Sequence, residues 1–157
     1  MRAMSKGKLE ACIRSSGYYR QKAEKLRGFC AYLLQKHQEG LGKWLSGPLT
    51  EVRAELLSLH GIGPETADSI LLYAGRRKVF VVDAYTLRLC LRMNWLKRLD
   101  YCAAQEFFLS ALPHSERIYN EYHALIVELA KKHCFKNNPD CGTCPLKGMC
   151  VRQGAGK

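Results

Sequence analysis

Four cysteines near the C-terminal end of this 157-residue chain constrain its fold more than any other feature. They follow the spacing Cys134-x6-Cys141-x2-Cys144-x5-Cys150, in a segment rich in Asn, Pro, Asp and Gly. So few apolar side chains cannot form a hydrophobic core, whereas a metal centre bound by thiolates supplies folding free energy directly. The sequence therefore predicts a metal centre whose ligands are Cys134, Cys141, Cys144 and Cys150.

The spacing of these cysteines also bears on the kind of metal centre. Structural zinc sites usually pair two Cys-x2–4-Cys knuckles, and only Cys141 and Cys144 fit that pattern. Wider, uneven gaps suit a [4Fe–4S] cluster, because each thiolate must reach a different corner of a larger cube. We therefore expect a [4Fe–4S] cluster, with structural zinc or four unliganded thiols as the alternatives. The other cysteines lie singly in helical patterns and are expected in the core: Cys12, Cys30, Cys90 and Cys102.

The chain is strongly basic, with 25 Lys and Arg against 14 Asp and Glu and a formal net charge of +11. Such an excess favours nucleic acid or an anionic membrane surface as partner, although a merely soluble basic protein is the alternative. The longest apolar runs, such as residues 79–82, are far too short to span a bilayer. Residues 1–6 lack the apolar core of a signal peptide. We therefore expect a cytoplasmic protein whose thiols stay reduced.

Helical periodicity dominates the apolar pattern and predicts an all-α fold. A helix that carries Leu49, Val52 and Leu56 is expected to end near His60. Pro64 suits the first turn of the next helix, where its missing N–H needs no partner. That helix is expected to bury Ala67, Ile70, Leu71 and Ala74. Two further helices are predicted between residues 104 and 133.

Residues 79–82 (Val-Phe-Val-Val) have the composition of a β-strand, but no other segment offers a partner strand. We therefore expect an extended and buried connector in place of a strand. The connector ends at Asp83, whose carboxylate suits the N-cap of a helix over Ala84–Met93.

A glycine-rich turn, Leu-His-Gly-Ile-Gly at residues 59–63, joins two of the predicted helices. Glycine permits backbone conformations that a Cβ would forbid, and it lets the chain approach a phosphate closely. The amide groups of the turn and the helix start at Pro64 together form a predicted anion site. A purely structural turn is the alternative, but the basic character of the chain favours phosphate binding.

Residues 59–68 and 81–86 (Leu-His-Gly-Ile-Gly-Pro-Glu-Thr-Ala-Asp and Val-Val-Asp-Ala-Tyr-Thr) resemble the hairpin and active-site block of the endonuclease III family. The spacing of the four cysteines is similar to that family's iron–sulfur loop. Further similarity runs from about residue 8 to residue 150. With two independent motifs in the same order, the chain is identified as a member of the endonuclease III-like, helix-hairpin-helix DNA glycosylase superfamily.

The resemblance implies an all-α DNA repair enzyme that flips a damaged base out of the duplex and excises it. It implies two helical lobes with a cleft between them. We expect residues 1–113 to form a helical lobe that contains the helix-hairpin-helix (49–75) and Asp83. Residues 114–157 would add a C-terminal helix and the cluster loop. The expected partner is double-stranded DNA with a damaged base, bound by a monomer.

The resemblance places the catalytic carboxylate at Asp83. A carboxylate there can stabilise positive charge that grows on the deoxyribose, or it can activate a water molecule. The alternative is that Asp83 serves only as a helix N-cap. The DNA-binding residues that the resemblance implies are those of the hairpin: His60, Gly61, Ile62 and Gly63. Aromatic residues considered for stacking on a flipped base are Tyr18, Tyr85 and Trp95, and Lys25 is among the basic residues considered for phosphate contacts.

The chain departs from the bifunctional family members at Glu65. Those members carry a lysine at this position, two residues after the second hairpin glycine, and the lysine forms a Schiff base with the sugar. A carboxylate cannot form an imine, so we expect hydrolysis that leaves an intact abasic site, without efficient AP-lyase activity. Glu65 resembles the 3-methyladenine DNA glycosylases, which favours an alkylated base. A first-turn acid that favours the helix dipole is the alternative interpretation of Glu65.

A second departure concerns the start of the chain. Family members carry several more helices before the position of Met1, and the fold is therefore expected to lack the family's N-terminal helices. A non-catalytic DNA-binding module or an inactive truncated glycosylase is one alternative function. A bifunctional endonuclease III-type glycosylase and AP lyase with another lysine as nucleophile is the second alternative.

Overall fold

A computed structural model describes residues 4–151 of the chain, and the structural statements below concern those residues. Its α-helices are α1 (Lys6–Cys12), α2 (Tyr19–Lys36), α3 (Leu41–Leu45), α4 (Leu49–Ser58), α5 (Pro64–Ser69), α6 (Ala84–Met93), α7 (Tyr101–Ala111) and α8 (Glu116–Lys132). A 3₁₀ turn at Arg14–Ser16 follows α1, and a π-helical turn at Ile70–Ala74 continues α5. Residues 4–151 contain no β-strand, which confirms the all-α prediction. Within the same range, no helix is both long and apolar enough to cross a membrane.

The chain forms two compact units, Met1–Gly63 and Pro64–Lys157. The boundary lies directly before α5, at the end of the glycine-rich turn. The sequence-based division at residue 113 separates two segments by their expected roles. It does not divide the chain into compact units, and it stays a prediction.

The first unit is organised around Glu55, a half-buried carboxylate in α4. It accepts hydrogen bonds from Trp44 Nε1 at 2.6 Å and from Tyr32 Oη, and it pairs with His37 Nε2 at 2.8 Å. The imidazole of His37 stacks on Trp44 with ring centroids 4.3 Å apart. The hydrogen bond to Glu55 raises the pKa of Tyr32 to about 12. This network ties α2, α3 and α4 together at their polar edge.

The second unit has an aromatic core built around the connector at residues 79–82. Phe80 stacks on Phe108 of α7 with centroids 4.3 Å apart and meets Tyr119 of α8 edge-on at 5.9 Å. All four connector side chains are buried, which confirms the sequence prediction. The connector is extended because its residues face packed helices, and Asp83 then begins α6 as predicted.

One side-chain amide fixes the connector against two helices. Gln105 Nε2 of α7 donates to the Phe80 carbonyl at 2.7 Å and to Asp68 Oδ2 at 2.8 Å. Tyr101 Oη donates to the same Asp68 oxygen at 2.7 Å. The Asp68 side chain is fully buried, and a buried carboxylate requires such donors. Gln105 thereby positions the segment that leads into Asp83.

Two expectations about burial are wrong. Ala74 is exposed, whereas Leu71 and Leu72 are both buried, because the π-helical turn shifts the apolar face away from the 3.6-residue period. Cys90 alone of the four scattered cysteines is buried, and burial raises its pKa to about 11. Cys12 and Cys102 lie on the solvent side of α1 and α7, and Cys30 is half-buried.

Replacing Gln105 with leucine is expected to lower the free energy of unfolding by about 2–3 kcal/mol, because the Phe80 carbonyl and the Asp68 carboxylate each lose a buried donor. Urea denaturation followed by circular dichroism measures the change. The matched control is Ser110→Ala on the same helix, whose exposed hydroxyl bonds to the Phe107 carbonyl. It should stay within about 0.5 kcal/mol of the parent chain. Equal stability of both variants would contradict the role of Gln105.

Candidate functional site

The carboxylate of Asp83 is held at the start of α6 by the helix itself. Its Oδ1 accepts from the Thr86 backbone N–H at 2.7 Å and from Thr86 Oγ1 at 2.9 Å. The Thr86 side chain is fully buried, and only 12% of the Asp83 side chain is exposed. The N-cap interpretation is therefore correct, and it leaves the second oxygen, Oδ2, available for other interactions.

The Oδ2 atom of Asp83 faces a histidine from α8. His123 Nε2 lies 3.5 Å from it, and His123 Nδ1 is hydrogen-bonded to Tyr73 Oη at 2.5 Å. Tyr73 comes from the π-helical turn, so three segments meet here. Sequence reasoning missed both residues. The sequence did contain a signal for His123, because it shares the buried face of α8 with Tyr119, Ile126 and Ala130 at helical spacing. The spacing of the apolar residues did not reveal the π-helical turn that places Tyr73.

Two carboxyl groups of the second unit have pKa values shifted in opposite directions. Burial alone would raise the pKa of Asp83, but the nearby imidazole of His123 and the hydrogen bonds from Thr86 outweigh burial and hold it below its ordinary value. Burial and the negative charge of Asp83 raise the pKa of Glu65 in the first turn of α5. Asp83 is therefore ionised at neutral pH, and its negative charge reaches Glu65. Opposite shifts in neighbouring carboxyl groups are typical of acid–base sites.

The glycine-rich turn belongs to the first unit, and one of its two glycines adopts a conformation that favours glycine. Gly61 adopts φ +81°, and the Ile62 N–H closes the turn on the Leu59 carbonyl at 3.1 Å. The aliphatic part of Lys25 lies over Gly61, so that a Cβ on Gly61 would stand 2.5 Å from Lys25 Cδ. A polar cleft beside the turn is lined by Gln21, Glu24, Lys25 and His60.

The aromatic residues considered for stacking differ in their surroundings. Tyr18 is 82% exposed. Tyr85 is half-buried beneath the guanidinium of Arg88, 5.0 Å from the ring centre. Trp95 is half-buried, stacks on Phe107 at 5.5 Å and packs against the core of the second unit.

The four C-terminal cysteines line one small cavity in the second unit, together with Arg92, Lys147 and neighbouring loop residues. Arg92 is almost fully buried and donates from Nη1 to Cys134 Sγ at 2.9 Å and from Nη2 to the Lys136 carbonyl at 3.2 Å. Arg88 Nε donates to the Cys134 carbonyl at 2.9 Å. Two arginines of α6 thus hold the first of the predicted ligands in place.

The arrangement of these thiols bears on what the cavity can hold. Thiolates around one zinc ion at about 2.3 Å would lie only about 3.8 Å from one another. Among residues 4–151, no three His, Cys, Asp or Glu side chains converge closely enough for a single ion. The four thiols therefore line one cavity without forming a single-ion site among the described residues.

Comparisons with known proteins agree with this fold. Residues 1–114 match the family described as HhH-GPD superfamily base excision DNA repair protein. A candidate DNA repair glycosylase of Methanocaldococcus jannaschii is 44% identical over 147 residues, which cover 92% of this chain and 66% of that protein. Endonuclease III of Thermotoga maritima is 30% identical, with coverage of 92% and 65%. The chain thus spans just under two thirds of the length of these relatives.

Two solved structures share the fold. A trapped covalent complex of endonuclease III with DNA has a TM-score of 0.73 and 27% identity, and the match covers 94% of this chain and 65% of that one. The 3-methyladenine DNA glycosylase MagIII of H. pylori, bound to 1,N6-ethenoadenine, has a TM-score of 0.70 and 30% identity, with coverage of 83% and 65%. The chain belongs to the HhH-GPD superfamily of base excision DNA repair proteins.

Substitution of the two hairpin glycines is expected to have unequal effects. Gly61→Ala should cost about 1–2 kcal/mol of stability, because φ +81° is strained for alanine and Lys25 must move aside. Gly63→Ala is the matched control, since its Cβ would meet nothing within 4 Å and its φ is ordinary. Thermal unfolding monitored by circular dichroism compares the two variants. A Gly63 variant as unstable as the Gly61 variant would overturn this account of the turn.

Proposed function

We propose that this protein is a base-excision-repair DNA glycosylase that hydrolyses the N-glycosidic bond of a damaged base and leaves the DNA strand intact. The observation that carries the proposal is Asp83. It is an ionised, mostly buried carboxylate. Thr86 fixes its Oδ1 atom, and its Oδ2 atom is available for the reaction. Membership of a base-excision-repair superfamily supports it.

The electrostatics of Asp83 suit this reaction. As the bond between C1′ and the base nitrogen breaks, its electron pair leaves with the base and positive charge develops on the deoxyribose. A fixed carboxylate stabilises that charge without reorganising, because its orientation is set before the reaction. Water then adds to C1′ and loses a proton, for which Asp83 Oδ2 is the acceptor in our proposal. Thr86 keeps Oδ1 out of this step.

Glu65 supports hydrolysis in place of strand cleavage. A Schiff-base mechanism needs an amine at the sugar, and a carboxyl group stands at the position where bifunctional relatives carry lysine. An alkylated purine carries positive charge and is a good leaving group, so modest catalysis suffices for it. The similarity to MagIII, a 3-methyladenine DNA glycosylase, supports an alkylated base as substrate.

DNA binding is proposed for the hairpin turn and for the basic surface. Backbone amides in a turn with positive φ at Gly61 suit a phosphate oxygen, and the net charge of +11 favours a polyanion. Two structures similar to this chain are complexes of endonuclease III with DNA. The proposed partner is therefore double-stranded DNA with a damaged base, bound by a monomer in the cytoplasm or at the nucleoid.

A [4Fe–4S] cluster is proposed for the cysteine cavity, with ligands Cys134, Cys141, Cys144 and Cys150. The cavity is lined by all four thiols, and Arg92 donates a hydrogen bond to Cys134 Sγ. A cation at that sulfur stabilises the thiolate form that a ligand must adopt. Bound there, the cluster would cross-link the loop and supply folding free energy that its sparse apolar contacts cannot.

Replacing Asp83 with asparagine is expected to lower single-turnover excision at least 100-fold, because the amide has no negative charge for the developing cation. The assay uses duplexes that contain 3-methyladenine, another alkylated purine or an oxidised pyrimidine, and hot alkali converts abasic sites into strand breaks. Binding to a duplex with a stable abasic analogue should change less than about threefold, since asparagine has nearly the same shape. Absence of excision by the parent chain, with binding intact, would instead favour a non-catalytic DNA-binding module.

Removal of one proposed cluster ligand is expected to abolish the cofactor. Cys144→Ala, purified without air, should lose the broad visible absorption of the parent protein and unfold at a lower temperature, because the loop depends on the cluster. The control is Cys102→Ala, an exposed cysteine on α7, which should keep both properties. Iron and sulfide analysis completes the measurement. A colourless parent protein that carries zinc would contradict the cluster.

A further inference from the structure

The neighbours of Asp83 include a residue pair that the proposed reaction does not yet use. His123 is 9% exposed, and its Nε2 atom is buried without a hydrogen bond of normal geometry among residues 4–151. Its closest ionic partner is Asp83 Oδ2 at 3.5 Å. Burying an imidazole beside a carboxylate costs free energy unless the two groups interact favourably.

We propose that His123 is a positioning residue that orients Asp83 and maintains its negative charge, and that Tyr73 fixes the tautomer of His123 for this purpose. This inference rests on the proposed function, because it assigns the residue that prepares Asp83 for base excision. It acts through Asp83 and not on the substrate, since a buried Nε2 is out of reach of an incoming water or sugar.

The two neighbours of the imidazole, Tyr73 Oη at Nδ1 and Asp83 Oδ2 near Nε2, favour one tautomer. In our proposal the neutral phenol of Tyr73 donates to Nδ1, because a proton on Nδ1 would leave the lone pair of Nε2 facing the negative carboxylate. A neutral imidazole that accepts at Nδ1 must carry its proton on Nε2. This N–H then lies beside Asp83, with Nε2 3.5 Å from Oδ2, while Thr86 holds Oδ1. Both oxygens of the carboxylate thus face donors, which favours its ionised form.

The charges around His123 are consistent with this role. Asp83 precedes α6, and Tyr73 lies in the π-helical turn. Glu65 in α5 interacts electrostatically with both Asp83 and His123. On α8 itself, Glu128, Lys131 and Lys132 line the open cleft that Tyr73 and His123 share. Within residues 4–151, Asp83 is the one of these groups that approaches Nε2 as an ionic partner. The imidazole therefore acts chiefly on this carboxylate.

The pH dependence of excision tests the inference. The interaction with His123 is the strongest of those that lower the pKa of Asp83. Removing it raises that pKa, so Asp83 takes up a proton at a higher pH and activity is lost earlier on the acid side. His123→Ala should lower the single-turnover excision rate about tenfold at neutral pH and move the acid limb of the profile upward by about one pH unit.

Two further variants separate positioning from packing. His123→Gln keeps a side-chain N–H near Asp83 and should recover the rate to within about threefold of the parent, with a smaller shift of the acid limb. Tyr73→Phe should produce an intermediate shift, because the tautomer is no longer fixed. The matched control is His114→Ala, which breaks a second histidine–tyrosine contact, His114 Nδ1 to Tyr119 Oη at 3.2 Å, and should leave the limb unchanged.

A measurement without substrate keeps this inference separate from the proposed function. Carboxyl ¹³C NMR should report a higher pKa for Asp83 in the His123→Gln protein, and imidazole ¹⁵N NMR of the parent should show the proton of neutral His123 on Nε2. A proton on Nδ1, or an acid limb and Asp83 titration unchanged by substitution of His123, would overturn the inference. A parent chain without excision would instead refute the proposed function, and the NMR results would still decide the role of His123.

Discussion

The hydrogen bonds between Asp83 and Thr86 are the interaction on which the rest of the second unit depends. They end the buried connector, begin α6 and fix one oxygen of the carboxylate. Because α6 starts there, Arg88 and Arg92 reach the first cysteine of the loop one and two turns further on. One N-cap therefore sets both the orientation of the proposed catalytic group and the support of the proposed cluster. Capping and catalysis, which the sequence presents as alternatives for Asp83, are compatible in this geometry.

Much of this architecture follows from the sequence because it depends on local rules. The helix over Ala84–Met93, its cap and the helix start at Pro64 are encoded within a few residues. The four cysteines are close in the chain, so a shared cavity follows from their spacing. The resemblance to a family added the expected role of Asp83, which no propensity reveals.

The features that sequence reasoning missed depend on contacts between distant segments. Tyr73 and His123 are 50 residues apart, and the π-helical turn that places Tyr73 breaks the period from which faces are inferred. The same turn exposes Ala74. Arg92 reads as an ordinary charge at the end of a helix, yet it is buried because the loop folds over it. From the sequence alone, Gln105 and Asp68 resemble surface residues. In the fold, Gln105 donates both to Asp68 and to the Phe80 carbonyl of the connector.

The central claim is that Asp83 drives hydrolysis and that no amine of the chain attacks the sugar. Borohydride trapping tests it most directly, because the reagent reduces any Schiff base between enzyme and DNA to a stable adduct. The parent chain is incubated with a duplex that contains an alkylated purine, with and without borohydride, and one portion is treated with hot alkali. We predict release of the base, strand breaks only after alkali, and no covalent adduct. A trapped adduct, or strand breaks without alkali, would contradict the account.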